Sequence, residues 1–221
     1  MEFLSDFARY LGSNSGRLLE LTWEHLQMSL AAVFFGLLVG VPVGILIVRY
    51  RKLVHPVLWV ANALQTIPAL AFVGFLMVLF GLGRDTGIAV LFFYTLMPII
   101  RATYTGITSV DPSMVEAARG MGMTRWQILR MVQLPMAFSV LLVGVRVATV
   151  IAIGTATIMS LAGAGGLGYE IFSGIQRVND VRIVGGAIPA ALLAVLTDAV
   201  IAWLERRLTS PGLRIRAEAV R

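Results

Sequence analysis

The groups able to do chemistry in this chain are charges and glycines set among apolar residues. Gly163-Ala-Gly165-Gly166-Leu-Gly168 matches G-x-G-x-x-G, which cradles a pyrophosphate where a strand runs into a helix of a βαβ unit. Here an apolar helical run precedes it, so a rim or gate between helices fits better than a dinucleotide site. No G-x-x-x-x-G-K-[ST] loop occurs and the only lysine is Lys52, so this chain has no P-loop for ATP. Arg146 and Asp198 lie within long apolar runs, where ionisable groups face a cavity or pair with one another. On neighbouring helices their depths differ by roughly 8 Å, which an arginine side chain can span. An intramembrane ion pair is expected. His25 and His55 stand near opposite ends of the first two apolar runs, without a nearby His or Cys, which predicts interfacial side chains and no metal site. There is no cysteine, which excludes disulfides and thiolate ligands.

The elements that must position these groups are apolar throughout. The 221 residues are 58% hydrophobic and only 14% charged, against about a quarter charged in a soluble domain. The fold class is an all-α integral membrane protein. Residues 28–48 are free of charge, long enough for a helix to cross a ~30 Å hydrocarbon core. Runs at 56–82, 87–107, 135–161 and 184–204 bring the expected number of spans to five. Residues 1–22 form a mixed N-terminal segment with a weak apolar face and no signal-peptide pattern. Residues 23–206 hold the spans, and 207–221 form a basic tail expected to fray. The formal net charge of +6 reflects basic loops rather than a nucleic-acid partner. Arg49, Arg51, Lys52, Arg119, Arg125, Arg130, Arg206 and Arg207 fall on one side of five spans, and the richer side is cytoplasmic. The amino terminus is then extracytoplasmic and the carboxyl terminus cytoplasmic.

Pro42, Pro68, Pro98 and Pro189 lie inside the expected spans, where each removes a backbone donor and can kink its helix. Gln65 and Thr66 beside Pro68 either line a pathway or satisfy carbonyls that the proline frees. Pro98 to Gly106, with Thr103 and Tyr104, reads as a transmission segment or an interfacial helix end. It leads into the longest polar interruption, residues 111–133. Pro112 suits a helix start, and Ser113 with Glu116 has capping-box spacing. Gly120 and Gly122 break that helix. Thr124 and Gln127 repeat the spacing, Ile128, Leu129 and Val132 form an apolar face, and Leu134-Pro135 returns the chain to the bilayer. A DNA-reading helix-turn-helix would need a soluble domain around it, and spans flank this one on both sides.

Glu116-Ala117-Ala118, three residues, Gly122, nine residues, Val132, one residue and Leu134-Pro135 resembles the EAA loop of ABC importer permeases. Val132 departs mildly from the isoleucine usual there. Gln-Thr-Ile-Pro at 65–68, Pro-Ile-Ile-Arg-Ala-Thr-Tyr-Thr-Gly-Ile at 98–107, the 148–158 run and the 163–168 loop extend the similarity over residues 22–205. Together they resemble the osmoprotectant permeases, which handle glycine betaine, choline or carnitine. The resemblance implies a type I ABC importer permease fold, with a cytoplasmic coupling helix-turn-helix and transport by alternating access. Glu116, Ala117, Ala118, Gly122, Arg125, Leu134 and Pro135 would then couple to an ATPase. Gln65, Thr66, Pro68, Thr103, Tyr104, Gly163, Gly165 and Gly166 would line the path or gate. The implied partners are a cytoplasmic ATPase pair carrying ATP and Mg, a second permease subunit, an extracytoplasmic solute-binding protein and the lipid of a bacterial or archaeal inner membrane. No catalysis and no cofactor are expected on this chain. Methionine or another small solute is the nearest alternative cargo. A non-transporting scaffold that docks an ATPase is the alternative from another class.

Overall fold

The computed structural model describes residues 2–208, among which there are nine α-helices and no strand. The basic tail from 209 onward lies outside the described residues. The first helix, α1 (Glu2–Arg49), is a single helix of 48 residues. At 1.5 Å per residue it is about 70 Å long, more than twice a hydrocarbon core. The mixed segment expected at 1–22 is therefore, from Glu2 on, the same helix as the first span. Its weak apolar face did not announce this, because its partners lie far along the chain.

The second apolar run is not one span-long helix. After a short turn at Arg51–Leu53, α2 (Val54–Thr66) ends and α3 (Ala69–Phe80) leaves at an angle of 99°. Pro68 bars its predecessor from the helical region, and Ile67 is extended, with φ −65° and ψ 127°. Then come α4 (Arg84–Thr108), α5 (Pro112–Gly120), α6 (Arg125–Ile128) and α7 (Leu134–Met159). The chain ends in α8 (Gly168–Gln176) and α9 (Asp180–Leu208). Among the described residues four helices are long and apolar enough to cross a membrane, or five if the bent α2–α3 pair counts as one span. The α8 helix occupies part of the polar stretch that separates the fourth and fifth apolar runs.

Helix α4 is the spine, with α1 on one side and α7 on the other. Gly36, Gly40 and Gly44, four residues apart, form the α1 seam. A Cβ at these positions would fall 2.3 Å from Thr95 Oγ1, 2.7 Å from Ile99 Cγ2 and 2.5 Å from Thr103 Cβ. Lipid tails are as apolar as leucine, so close backbone approach and dispersion must hold spans together, and small residues permit it. Gly144 of α7 does the same from the other side, where a Cβ would lie 2.1 Å from that of Ala102. Met28, Phe72, Leu91 and Met159 belong to one buried cluster uniting α1, α3, α4 and α7.

Candidate functional site

The bundle has two differently built ends, with a clamp between them. At the end carrying residues 111–133, α5 and α6 form a compact projecting unit. The first cap is not the expected Ser113–Glu116 box. Asp111 caps α5, its Oδ1 accepting from Ser113 N at 3.0 Å and from Ser113 Oγ at 2.7 Å. Pro112 occupies the first turn, which moves the capping position back to Asp111. Gly122, at φ +79°, then turns the chain. A full capping box starts α6: Thr124 N donates to Gln127 Oε1 at 2.8 Å, and Gln127 N donates to Thr124 Oγ1 at 3.3 Å.

The second helix of this unit is not a separate element ended by Leu134-Pro135. It runs through a π-turn at Leu129–Gln133 directly into α7, as one helical stretch of 38 residues, Arg125–Ala162. The wider turn falls where Pro135 lacks the N–H of ordinary helical bonding, so the proline is absorbed without a break.

Ala118 and Ile128 are buried on the inner side of the unit, whereas Glu116, Ala117 and Arg125 are exposed. Met121 at 75%, Met131 at 66% and Trp126 at 64% exposure give the projecting unit apolar side chains with nothing packed over them. They carry no motif of their own, and only their exposure marks them. Leu134 is half-buried and Pro135 exposed at the start of α7. Glu116 also lines a groove of about 540 Å³ with Arg51, His55, Tyr104 and Arg119.

Gln65 and Ile67, the residue before Pro68, meet Tyr94 of α4. Gln65 Nε2 donates to the Tyr94 carbonyl at 2.8 Å. In a regular helix that carbonyl would bind the N–H four residues on, but residue 98 is proline. Gln65 thus satisfies a group freed by Pro98, not by Pro68. The Tyr94 hydroxyl donates in return to the carbonyl of Ile67, at the α2–α3 break. Thr66 is exposed and bonds back to Ala63 O, at 2.7 Å. Thr103 is fully buried, donates to Ile99 O at 2.8 Å and faces Gly44. It belongs to the α1–α4 seam rather than to an open surface.

The opposite end is held by contacts between residues far apart in sequence. Gly163, Gly165 and Gly166 have φ of +74°, +81° and +77°, and Gly166 N donates to the Glu24 carboxylate at 3.0 Å. A Cβ on Gly168 would lie 1.9 Å from the Thr157 carbonyl oxygen. The loop is thus a packed turn pinned to α1, not the loose rim its glycines suggest. His25, expected at the interface, is fully buried and its Nε2 donates to Ile153 O at 2.9 Å. Helix α1 continues well past His25, so the ring faces α7 instead of ending a span.

Glu170 of α8, 1% exposed, is the hub of this end. Its carboxylate accepts from Tyr10 OH at 2.8 Å, Arg17 Nε at 2.9 Å, Arg182 Nε, and Arg182 Nη2 at 3.3 Å. The Arg17 and Arg182 guanidiniums also lie over the Tyr169 ring, 5.0 and 5.9 Å from its centroid. Burial pushes the Glu170 carboxyl up, but the hydrogen bonds from Arg182, Tyr10 and Arg17 outweigh it and hold the pKa below the ordinary value. The partners sit 160, 153 and 12 positions away, so no local spacing signals the cluster. Between α7 and α9, Arg146 Nε and Nη2 grip Asp198 Oδ1 and Oδ2, the second contact at 2.5 Å. Among the described residues no three His, Cys, Asp or Glu side chains are placed to share a metal ion.

A family of binding-protein-dependent transport system inner membrane components matches residues 32–210. The chain belongs to that family. Over 210 residues it is 49% identical to the glycine betaine/carnitine/choline transport system permease protein OpuCD of Bacillus subtilis (strain 168), covering 95% of this chain and 92% of the relative. It is 40% identical over 214 residues to the osmoprotectant import permease protein OsmW of Salmonella typhimurium, covering 95% of this chain and all of that one. Among solved structures, the MetNI methionine ABC transporter in an inward-facing conformation superposes with a TM-score of 0.77 at 25% identity, over 85% of this chain and 94% of that one. The chain is a membrane permease subunit with a type I ABC importer fold, a component of a multi-subunit importer of the inner membrane.

Proposed function

We propose that this permease carries small osmoprotectants (glycine betaine, carnitine or choline) across the inner membrane by alternating access. Near-full-length identity of 49% to a permease named for those three solutes carries the reading. Residues 23–206 form the permease domain, flanked by the N-terminal segment 1–22 and the tail 207–221. The α5–α6 unit lies in the cytoplasm and docks an ATPase subunit pair, which binds ATP and Mg and does the catalysis that this chain does not. Support comes from its projection, its two local caps and the exposed Glu116, Ala117, Met121, Arg125 and Trp126. Gly122, Leu134 and Pro135 set the direction in which the unit delivers motion to α7. The buried Ala118 anchors α5 to the body.

A second permease subunit completes the path, and an extracytoplasmic binding protein delivers solute to the end bearing Gly163, Gly165 and Gly166. The Gln65–Tyr94–Ile67 clamp lets the bent α2–α3 pair follow α4 as a gate at Pro68. Thr66, exposed beside it, is our choice for a path-lining residue, whereas Thr103 holds the α1–α4 seam and Tyr104 borders the groove beside Glu116.

Reconstitution with the cognate ATPase and binding protein tests the reading through uptake of labelled glycine betaine, carnitine, choline and methionine. ATP-dependent uptake of the first three alone is expected. Methionine uptake, which the likeness to a methionine transporter favours, would replace the substrate assignment and leave the permease assignment intact.

A further inference from the structure

A groove of about 970 Å³ opens between the last turns of α1 and the α5–α6 unit. Arg49 and Arg51 border it on the α1 side, Arg119 and Arg125 on the α5–α6 side, and Leu46 and Trp126 contribute to its apolar wall. No Asp or Glu lines it. Among the described residues none of the four arginines forms a salt bridge with a carboxylate. Leu46, 44% exposed, lies three residues before Arg49 in the uncharged apolar stretch 28–48 of α1, so the wall continues from the apolar run into the basic rim.

We propose that this groove binds one anionic phospholipid of the adjoining leaflet, its phosphate among the arginines and an acyl chain along Leu46. The charge requires an anion, and guanidinium forks match phosphate oxygens in pairs. The apolar wall selects a lipid over a free phosphate, which would leave that wall wet. The basic tail beyond residue 208 carries the wrong charge for the site. Basic groups at a membrane surface attract anionic headgroups, but here four converge on one cavity rather than spreading along a loop. A lipid seated there would brace α1 against the coupling unit. The proposal rests on the functional reading above only for which leaflet supplies the lipid.

The test uses the complete importer, with its ATPase and binding protein, in nanodiscs of equal phosphatidylglycerol and phosphatidylcholine, and native mass spectrometry to count lipids retained. Phosphatidylglycerol should be retained preferentially. The Arg49→Gln/Arg51→Gln double variant should lower that preference by roughly an order of magnitude. Leu46→Glu should lower it by repelling the acyl chain and headgroup, whereas Arg130→Gln, an exposed arginine outside the groove, should not. Arg49→Lys/Arg51→Lys keeps the charge but not the paired donors, so it should keep more of the preference than the glutamine variant while losing part of it, separating binding from misfolding. Equal loss in the Arg130 variant would mean diffuse surface attraction and overturn the site. Retention by the permease alone but not by the full importer would assign the groove to the ATPase and overturn it as well. Solute uptake is read separately, so failure of the substrate assignment leaves this result untouched.

Discussion

The glycine-loop end and the coupling-loop end are held together in opposite ways. At the first, Tyr10, Arg17, Glu24 and His25 of α1 reach residues 142 to 160 or 128 positions later, and the groups they engage are buried. At the second, Asp111–Ser113 and Thr124–Gln127 close hydrogen bonds over two and three residues, and most side chains stay exposed. One end depends on the whole fold. The other is a self-contained knob that keeps its shape while its surface remains available to another protein. The difference implies that substitutions at the glycine-loop end cost folding first, and substitutions at the coupling-loop end cost function first.

The strongest way to break that comparison is Glu170→Leu. It leaves the largely buried Arg182 and the half-exposed Arg17 without their carboxylate. Losing one member of a buried pair costs about 3–5 kcal/mol, and the solvent reaching Arg17 brings the loss toward the lower end. A large fall in melting temperature in detergent is expected, and a shift as small as a surface substitution gives would remove Glu170 from its place as hub. Acid should act on the same group. Its folded pKa is depressed, so its contribution is complete above the unfolded carboxyl value, about pH 4.3, and is lost as pH falls through the lower folded value. The melting temperature of the wild type should therefore drop more steeply below about pH 4 than that of Glu170→Gln.

Gly168→Ala comes next. The new Cβ meets the Thr157 backbone carbonyl, so the backbone must shift, at a cost of about 1–3 kcal/mol. Arg146→Leu and Asp198→Leu should each lower the yield of folded protein, with part restored in the double variant, since a lone charge keeps its desolvation cost. Simple addition of the two losses would show that the pair is not coupled.

At the coupling-loop end the substitutions should cost no more stability than Gly168→Ala, and their main effect falls on function. Gly122→Val places a β-branched residue at φ +79° and should cost about 1–3 kcal/mol. Glu116→Lys should change stability by no more than about 0.5 kcal/mol, as an exposed substitution with no buried partner. Both should nevertheless reduce co-purification of the ATPase and abolish uptake. Normal ATPase binding and uptake in Glu116→Lys would deny the α5–α6 unit its coupling role.

Much of this was legible in the amino-acid sequence because its causes are local. A run of about twenty apolar residues must cross or bury itself wherever the rest of the chain lies. Gly122 as the turn and Thr124 with Gln127 as a cap depend on neighbours three residues away. Even the Arg146–Asp198 contact was within reach of reasoning, since charges in apolar spans are few and have few choices of partner.

Other features needed the tertiary structure because their causes are distant. Nothing near Glu170 says that Tyr10 and Arg17 will bond to it, and nothing near Gln65 says that Pro98 will free the carbonyl it binds. The unbroken length of α1, the burial of His25 and the packed state of the glycine loop follow from those long-range contacts. So does the seam of Gly36, Gly40 and Gly44, whose spacing permits a close helix neighbour but does not say that α4 is the one. Local chemistry set the lengths, caps and turns of the helices. Which helix met which was decided only in the tertiary structure, where glycine seams let helices close on one another and distant polar groups found partners.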